Sequence, residues 1–232
     1  MSDSTAVPEG TVFANRLLRR EETKRWRLEK RAEAAAAALR GNDFEAVVVP
    51  DAAAARQAVL DRIGPDATVG VGGSMTIRET GVLDVLSERG QVVYDHWSSD
   101  LDAEEMLACR RAQLTSDVFL SSANALTLKG QLVACDGIGN RVAAMTFGPG
   151  KVVLVVGANK IVEDLDSALR RIRDVCAPLA LKETAAPVPC VERGICGHCH
   201  SKSRLCRATL VLDCKPLQTD YCVMVVAEEL GF

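Results

Sequence analysis

The chain has 232 residues, a net charge of −3, 48% hydrophobic residues and only 4% aromatic ones. That length fits one large domain or a domain with an appendage, and the charge balance gives no basis for a nucleic-acid partner or an anionic membrane surface. A core made mostly of Ala, Val, Leu and Ile suits a parallel α/β sheet better than a sandwich.

The opening MSDSTAVPEGTVFANRLLRR is polar and lacks an apolar signal core, and no apolar run reaches the ~18–20 residues that span a bilayer. The expected location is cytoplasmic, without membrane insertion. Residues 1–13 are expected as a frayed tail. Residues 14–40, rich in Ala, Leu, Glu and Arg without Gly or Pro, read as a helix whose charges form i,i+4 pairs, stopped by Gly41-Asn42-Asp43.

Strand and helix signals then alternate. FEAVVV, ATVGVG, QVVYDHW, SDVFLSS and KVVLVVG read as strands. Between and after them, DAAAARQAVLDRI, SMTIRETGVLDVLSERG, DAEEMLACRRAQL and VEDLDSALRRIRDVC read as helices. Strands apolar on both faces are those covered by helices on both sides, so the fold class is α/β: a doubly wound, mostly parallel sheet. Residues 123–150 break the rhythm with a hairpin turning at Lys129-Gly130 and a glycine-rich turn. After Ala177-Pro178 the composition shifts to Pro, Cys and Gly, and ATLVLDC and YCVMVVA read as short terminal strands. The expected division is therefore a tail (1–13), an α/β domain with its N-terminal helix (14–178), and a Cys-rich segment with terminal strands packed on it (179–232).

Two glycine loops are the candidates for binding chemistry, the first of them open equally to a purely structural strand–helix turn. In ATVGVGGSMT, Gly70, Gly72 and Gly73 end a strand and Ser74 is placed to cap a helix. Backbone N–H groups can approach an anion there, and the helix N-terminus adds partial positive charge. No Gly-Lys-Ser/Thr follows, so it is not a Walker loop, and the dinucleotide fingerprint spacing is missing. The second loop, CDGIGNRV, holds Asp136, Gly137, Gly139, Asn140 and Arg141, with Asn124 upstream. If both loops lie at the carboxyl ends of neighbouring strands they border one crevice, where Arg141 could clamp a carboxylate or phosphate. The competing reading pairs Arg141 with Asp136. His96, beside Trp97 at a strand end, reads as structural.

The stretches GGSMTIRETG, SSANALTLKGQLVACDGIGNRVAAMTFGPGKVVLVVGANKIV and EELGF resemble the LUD (lactate-utilisation) domain family. The resemblance implies the fold of ribose-5-phosphate isomerase, glucosamine-6-phosphate deaminase and CoA transferases, whose glycine-rich loop grips a phosphate. Gly72, Gly73, Ser74 and Thr76 stand at the matching positions. It also implies a role in oxidising lactate or a related hydroxy acid beside redox partner subunits. The isomerases' acidic and lysine set and the transferases' glutamate nucleophile have no clear counterpart, although Glu79 and Asp136 are available carboxylates. The readings are an accessory, small-anion-binding component of hydroxy-acid oxidation, an isomerase/CoA-transferase-like enzyme acting on a phosphorylated or CoA-linked substrate, or a metal- or redox-sensing protein. A homo-oligomer is compatible with all three.

CVERGICGHCHSKSRLC holds Cys190, Cys196, Cys199 and Cys206, with His198 and His200 interleaved. The spacing matches neither a two-knuckle zinc ribbon nor a ferredoxin pattern. Four thiolates in one loop can nonetheless enclose zinc or an iron–sulfur cluster, and a loop so poor in apolar residues gains order from a metal. Reactive thiols or disulfides are the alternatives. The family's electron-transfer setting tips the metal reading toward iron–sulfur. The four cysteines are the expected ligands and the histidines the second choice, in an appendage separate from the substrate pocket. Cys109, Cys135, Cys176, Cys214 and Cys222 read as small hydrophobes.

Overall fold

The computed structural model describes residues 12–232. The first eleven residues of the expected tail lie outside the described residues, and the other two already belong to helix α1 (Val12–Gly41). This helix contains no internal Gly or Pro and presents Ala32, Ala35, Ala36 and Leu39, all at 0% exposure, as one stripe to the core.

The elements that follow are β1 (Glu45–Val49), α2 (Ala52–Leu60), β2 (Val69–Val71), α3 (Met75–Glu79), α4 (Val82–Glu88), β3 (Val93–Asp95), α5 (Ala103–Ala112) and β4 (Val118–Ser121). Next come β5 (Ala125–Thr127), β6 (Leu132–Asp136), α6 (Asn140–Thr146), β7 (Lys151–Gly157), β8 (Ile161–Val162), α7 (Leu165–Arg171) and α8 (Ala177–Glu183). The last are α9 (Pro189–Arg193), β9 (Ala208–Leu212) and β10 (Asp220–Val226). Local chemistry fixes several boundaries. Asp51 caps α2 by accepting the Ala54 N–H at 2.7 Å, and Asp102 with Glu105 closes a capping box on α5. The segment expected as one helix from Ser74 to Gly90 is two, because Gly81 adopts φ +68° at the break.

The main sheet runs β1-β10-β7-β4-β2-β3 with every pair parallel, a doubly wound α/β sheet. Val152, Leu154 and Val156 join the core on one face, Val153 and Val155 the core on the other. A second sheet, β8-β5-β6-β9, holds the expected hairpin, with β5 and β6 antiparallel.

Two expectations need correction. The helix expected to stop at Cys176 passes through a π turn, Ile172–Cys176, and continues as α8 across Pro178. Proline has no N–H and collides with the carbonyl four residues back, and a widened turn relieves both. Residues 179–232 are also not a segment merely packed on a finished domain. β9 extends the second sheet beside β6, and β10 lies inside the main sheet between β1 and β7. The valine-rich YCVMVV run reads equally well as a short edge strand or a central one; only its partners decide.

Candidate functional site

The chain leaves β2 toward β3 and returns on the other side of β2 as β4, so the carboxyl ends of β2 and β4 form a switch point, the usual ligand position in such sheets. Gly72 donates its N–H to the Leu120 carbonyl at 2.9 Å across that gap. A Cβ on Gly72 would stand 2.8 Å from both Phe119 Cζ and Ser121 Oγ, and one on Gly73 would stand 2.7 Å from the Trp97 ring. The two glycines therefore form a narrow cradle in which Phe119, Ser121 and the Trp97 ring lie against the backbone. Ser121 Oγ faces it, fully buried and without a hydrogen-bond partner. A buried hydroxyl left unpaired costs about 1–3 kcal/mol, which a bound polar ligand would recover.

The other members of the first loop have local duties. Gly70 lies within β2, where a Cβ would meet Ser116 Oγ at 2.7 Å. Ser74 accepts the Ile77 N–H at 3.3 Å as the cap of α3, and a helix of five residues adds little dipole. Trp97 shields the loop from outside, with the Arg78 guanidinium 4.7 Å over its ring and Arg78 forked onto Asp95 at 2.7 and 3.0 Å.

The second loop reaches the same crevice. A Cβ on Gly72 would lie 3.1 Å from the Arg141 side chain, and Asn140 donates to Gln113 Oε1 at 3.2 Å. Gln113, wholly buried, donates in turn to the carbonyls of Val71 and Tyr94 at 2.8 and 3.0 Å, and its amide nitrogen lies 2.8 Å from His96 Nδ1. Burial, then the nearby Arg110 charge, lowers the pKa of His96. Gln113 thus ties together the ends of β2 and β3 and the second loop. No motif marked it, since a single Gln in a charged helix pattern carries no signal until its partners are known.

Arg141 is committed within the protein. It donates to Asp136 at 2.8 Å, to Asn124 Oδ1 at 2.7 Å, and to the carbonyls of Cys135 and Ser122 at 2.9 and 3.3 Å. Asp136 also accepts the Val142 N–H at 2.9 Å. Both side chains of the ion pair are about 90% buried. Arg141 is a strut that holds the loop rather than a free clamp. Gly139, at φ +97°, supplies the left-handed step before α6, and a Cβ on Gly137 would strike Leu205 of the Cys-rich segment at 2.8 Å.

A cation that sequence reading missed stands at the end of β7. Lys160 is 3% exposed, and its Nζ lies 2.6 Å from Thr76 Oγ1 and 3.1 Å from Ser122 Oγ. Three neighbouring strand ends, β2, β4 and β7, thus converge on one amine. Burial, with Arg171 and Arg141 adding positive charge, lowers its pKa to about 7. Residues 228–232 lie across it. The Gly231 N–H donates to Glu79 Oε2 at 2.7 Å, its carbonyl accepts from Asn159 at 2.8 Å, and Leu230 donates to Asn159 at 3.1 Å. Glu79 therefore anchors this segment.

The Cys-rich segment folds back against β6 and β9 and encloses a cavity of about 320 Å³. Cys190, Cys196, Cys199, Cys206, His198 and His200 all line it, and so does Cys135 from β6. Arg204 holds the segment's shape by donating to the Cys199 carbonyl at 3.0 Å and the Cys206 carbonyl at 2.9 Å, and the His198 N–H points at Cys196 Sγ at 3.4 Å. All nine cysteines are free. Burial, followed by the proximity of Cys199, Cys196 and Cys206, pushes the Cys190 thiol pKa up. Among the described residues no three His, Cys, Asp or Glu side chains are grouped to hold a single metal ion. The cavity is about ten times a water's ~30 Å³ share of volume.

No helix among the described residues is long and apolar enough to cross a membrane. No curated protein matches the chain. A crystal structure of a DUF162 family protein from Deinococcus radiodurans is similar, with a TM-score of 0.48 and 14% identity over 87% of this chain and 98% of that one. The LUD domain model matches residues 32–226, a span that takes in both glycine loops, Lys160, the cysteine cavity and β10. The chain belongs to the LUD domain family, the lactate-utilisation type.

Proposed function

We propose that the protein is an accessory component of lactate or hydroxy-acid oxidation that binds a small anionic metabolite at the β2–β4 crevice and carries an iron–sulfur cluster in the cysteine cavity. The observation that carries this reading is the one cavity lined by Cys135, Cys190, Cys196, Cys199 and Cys206, one strand residue away from Asp136 and the second glycine loop. Tetrahedral zinc needs its sulfurs within about 4 Å of one another, given Zn–S bonds near 2.3 Å. A wide cavity with spread thiols fits a polynuclear cluster better, because bridging sulfides hold the thiolates apart. Such a cluster, when bound, accepts and releases single electrons.

The chain's own residues prepare for that charge. Residues 190–207 carry Arg193, Lys202, Arg204 and Arg207 against Glu192 alone, and Arg204 lines the cavity together with Arg173, positive charge that offsets an anionic site. The His198 N–H directed at Cys196 tunes a sulfur by hydrogen bonding. Ile138 in the second glycine loop and Ile195 beside Cys196 are each about 65% exposed, apolar side chains that a redox partner could cover. At the crevice, the Gly72–Gly73 cradle and the unpaired Ser121 hydroxyl favour a small polar ligand over a bulky one.

The test is anaerobic reconstitution of the full chain with iron and sulfide, followed by metal and sulfide analysis and a visible spectrum. Stoichiometric iron and acid-labile sulfide with visible charge-transfer absorption support the reading. Zinc alone, or neither metal, removes the electron-carrying half.

A further inference from the structure

Lys160 has no evident structural need for its charge. Among the described residues no carboxylate lies within ion-pairing distance of it, and its two partners are hydroxyls whose own protons are committed elsewhere. Thr76 Oγ1 donates to the Leu230 carbonyl at 3.4 Å, and Ser122 Oγ donates to the Ala123 carbonyl at 3.2 Å. Both hydroxyl oxygens must therefore accept from Nζ. A neutral amine has two N–H bonds to give, and giving both leaves its lone pair unshared. An ammonium would instead hold a third proton with nothing to receive it, in a buried setting where such a charge is costly. Burial outweighs the facing groups, of which Arg171 and Arg141 disfavour another cation while Cys176 and the carboxylate of Glu79 favour one, Arg171 ranking first. Desolvated lysines beside other cations are the ones that serve as nucleophiles.

From this geometry we propose that Lys160 is a reactive amine that condenses with the carbonyl carbon of a small 2-oxo acid. The inference rests on the reading of the crevice as a site for a small carboxylate metabolite. In the step, the Nζ lone pair forms a bond to C2 and the carbonyl π pair moves to oxygen. Two protons, one from nitrogen and one from solvent, pass to that oxygen, which leaves as water, and a protonated imine remains. Addition of water reverses it, so no oxidant or reductant is consumed. Leu230 and Gly231 cover the amine: a Cβ on Gly231 would lie 3.2 Å from Nζ. The acid therefore reaches it when residues 228–232 lift from Glu79 and Asn159.

The test is to incubate the full chain with pyruvate and sodium borohydride, which reduces an imine to a stable N-carboxyethyl-lysine, and to map the adduct by peptide mass spectrometry. At pH 7.5 most of an amine with its pKa at about 7 is neutral, against roughly one in a thousand for an ordinary lysine. Adduct at Lys160 in excess of about tenfold over the mean surface lysine, absent in Lys160→Met, is the expected result. Calorimetry with pyruvate alone separates the two claims. Pyruvate that binds without being trapped at Lys160 overturns the amine while the crevice reading stands. Pyruvate that neither binds nor traps overturns both. Lys160→Arg, which keeps a long cationic side chain, is to be folded by circular dichroism yet give no adduct; adduct of the same yield elsewhere in that variant also overturns the assignment.

Discussion

Arg141 donates to Asn124 Oδ1 at 2.7 Å, and the same oxygen accepts the Cys135 N–H at 2.8 Å. One amide oxygen therefore joins the second glycine loop to the strand that feeds the cysteine cavity. Arg141→Ala would leave Asp136 buried and unpaired, which costs about 3–5 kcal/mol. The expected readout is a large drop in the urea midpoint. Arg141→Lys is not expected to rescue it, because an ammonium cannot reach Asp136, Asn124 and two carbonyls from one plane. A variant whose stability is unchanged would show the pair to be dispensable.

Ser121→Ala separates stability from binding by sign. Removing an orphaned buried hydroxyl is expected to stabilise the ligand-free protein by about 1 kcal/mol while weakening binding of lactate or phosphate in calorimetry. Gly72→Ala fills the same cradle, with its Cβ 2.8 Å from Phe119 and Ser121. It is expected to cost about 1–3 kcal/mol through overpacking and to abolish the same binding.

Cys196→Ser and Cys199→Ser are each expected to remove the visible absorption of iron- and sulfide-reconstituted protein. Cys214→Ser, outside the cavity, is expected to leave it intact. Loading is expected to fall in acid, since ligation requires deprotonation and burial with neighbouring thiols already raises the Cys190 pKa. Equal iron content in all three variants at neutral pH would move the site elsewhere.

The buried amine makes stability depend on pH. Lys160 has a folded pKa of about 7 against the ordinary lysine value of 10.5, so between these values the unfolded chain binds more protons and stability rises with pH. The penalty for the buried charge is full below pH 7 and is relieved on the way to about pH 10. Relative to Lys160→Met, the wild type is expected to gain up to about 1.4 kcal/mol per pH unit across that window. Parallel pH–stability curves for the two proteins would contradict this.

How much of this was legible beforehand follows from the range of each signal. Valine runs, glycine punctuation and capping residues act within a few positions, so the β–α alternation, the Lys129-Gly130 hairpin and both glycine loops were readable. The break at Gly81 and the passage of α7 into α8 across Pro178 depend on backbone states that several residues can adopt. The grouping of the four segment cysteines could be expected from their closeness in sequence. The fifth, Cys135, joins them only because β9 pairs with β6. Lys160 and Gln113 looked ordinary, since a buried amine or amide is defined by partners as distant as Thr76 and His96. Arg141 was read as a clamp or an Asp136 partner, and the pairing that was realised also recruits Asn124 and two carbonyls.

The place of β10 has a consequence for how the molecule is made. Glu45 pairs with Cys222, and Cys222 with Val153, so the strand that bridges β1 to the rest of the sheet is the last of the ten to be synthesised. Until it arrives, β1 and β7 each present an open, valine-rich edge of the kind that recruits other chains. Closure depends on contacts between distant parts of the sequence, which slows folding. The cysteine segment is synthesised before that strand, so its thiols emerge while the sheet is still in two pieces. Nascent chains stalled before residue 220 are thus the form of this protein most exposed to aggregation and to thiol oxidation.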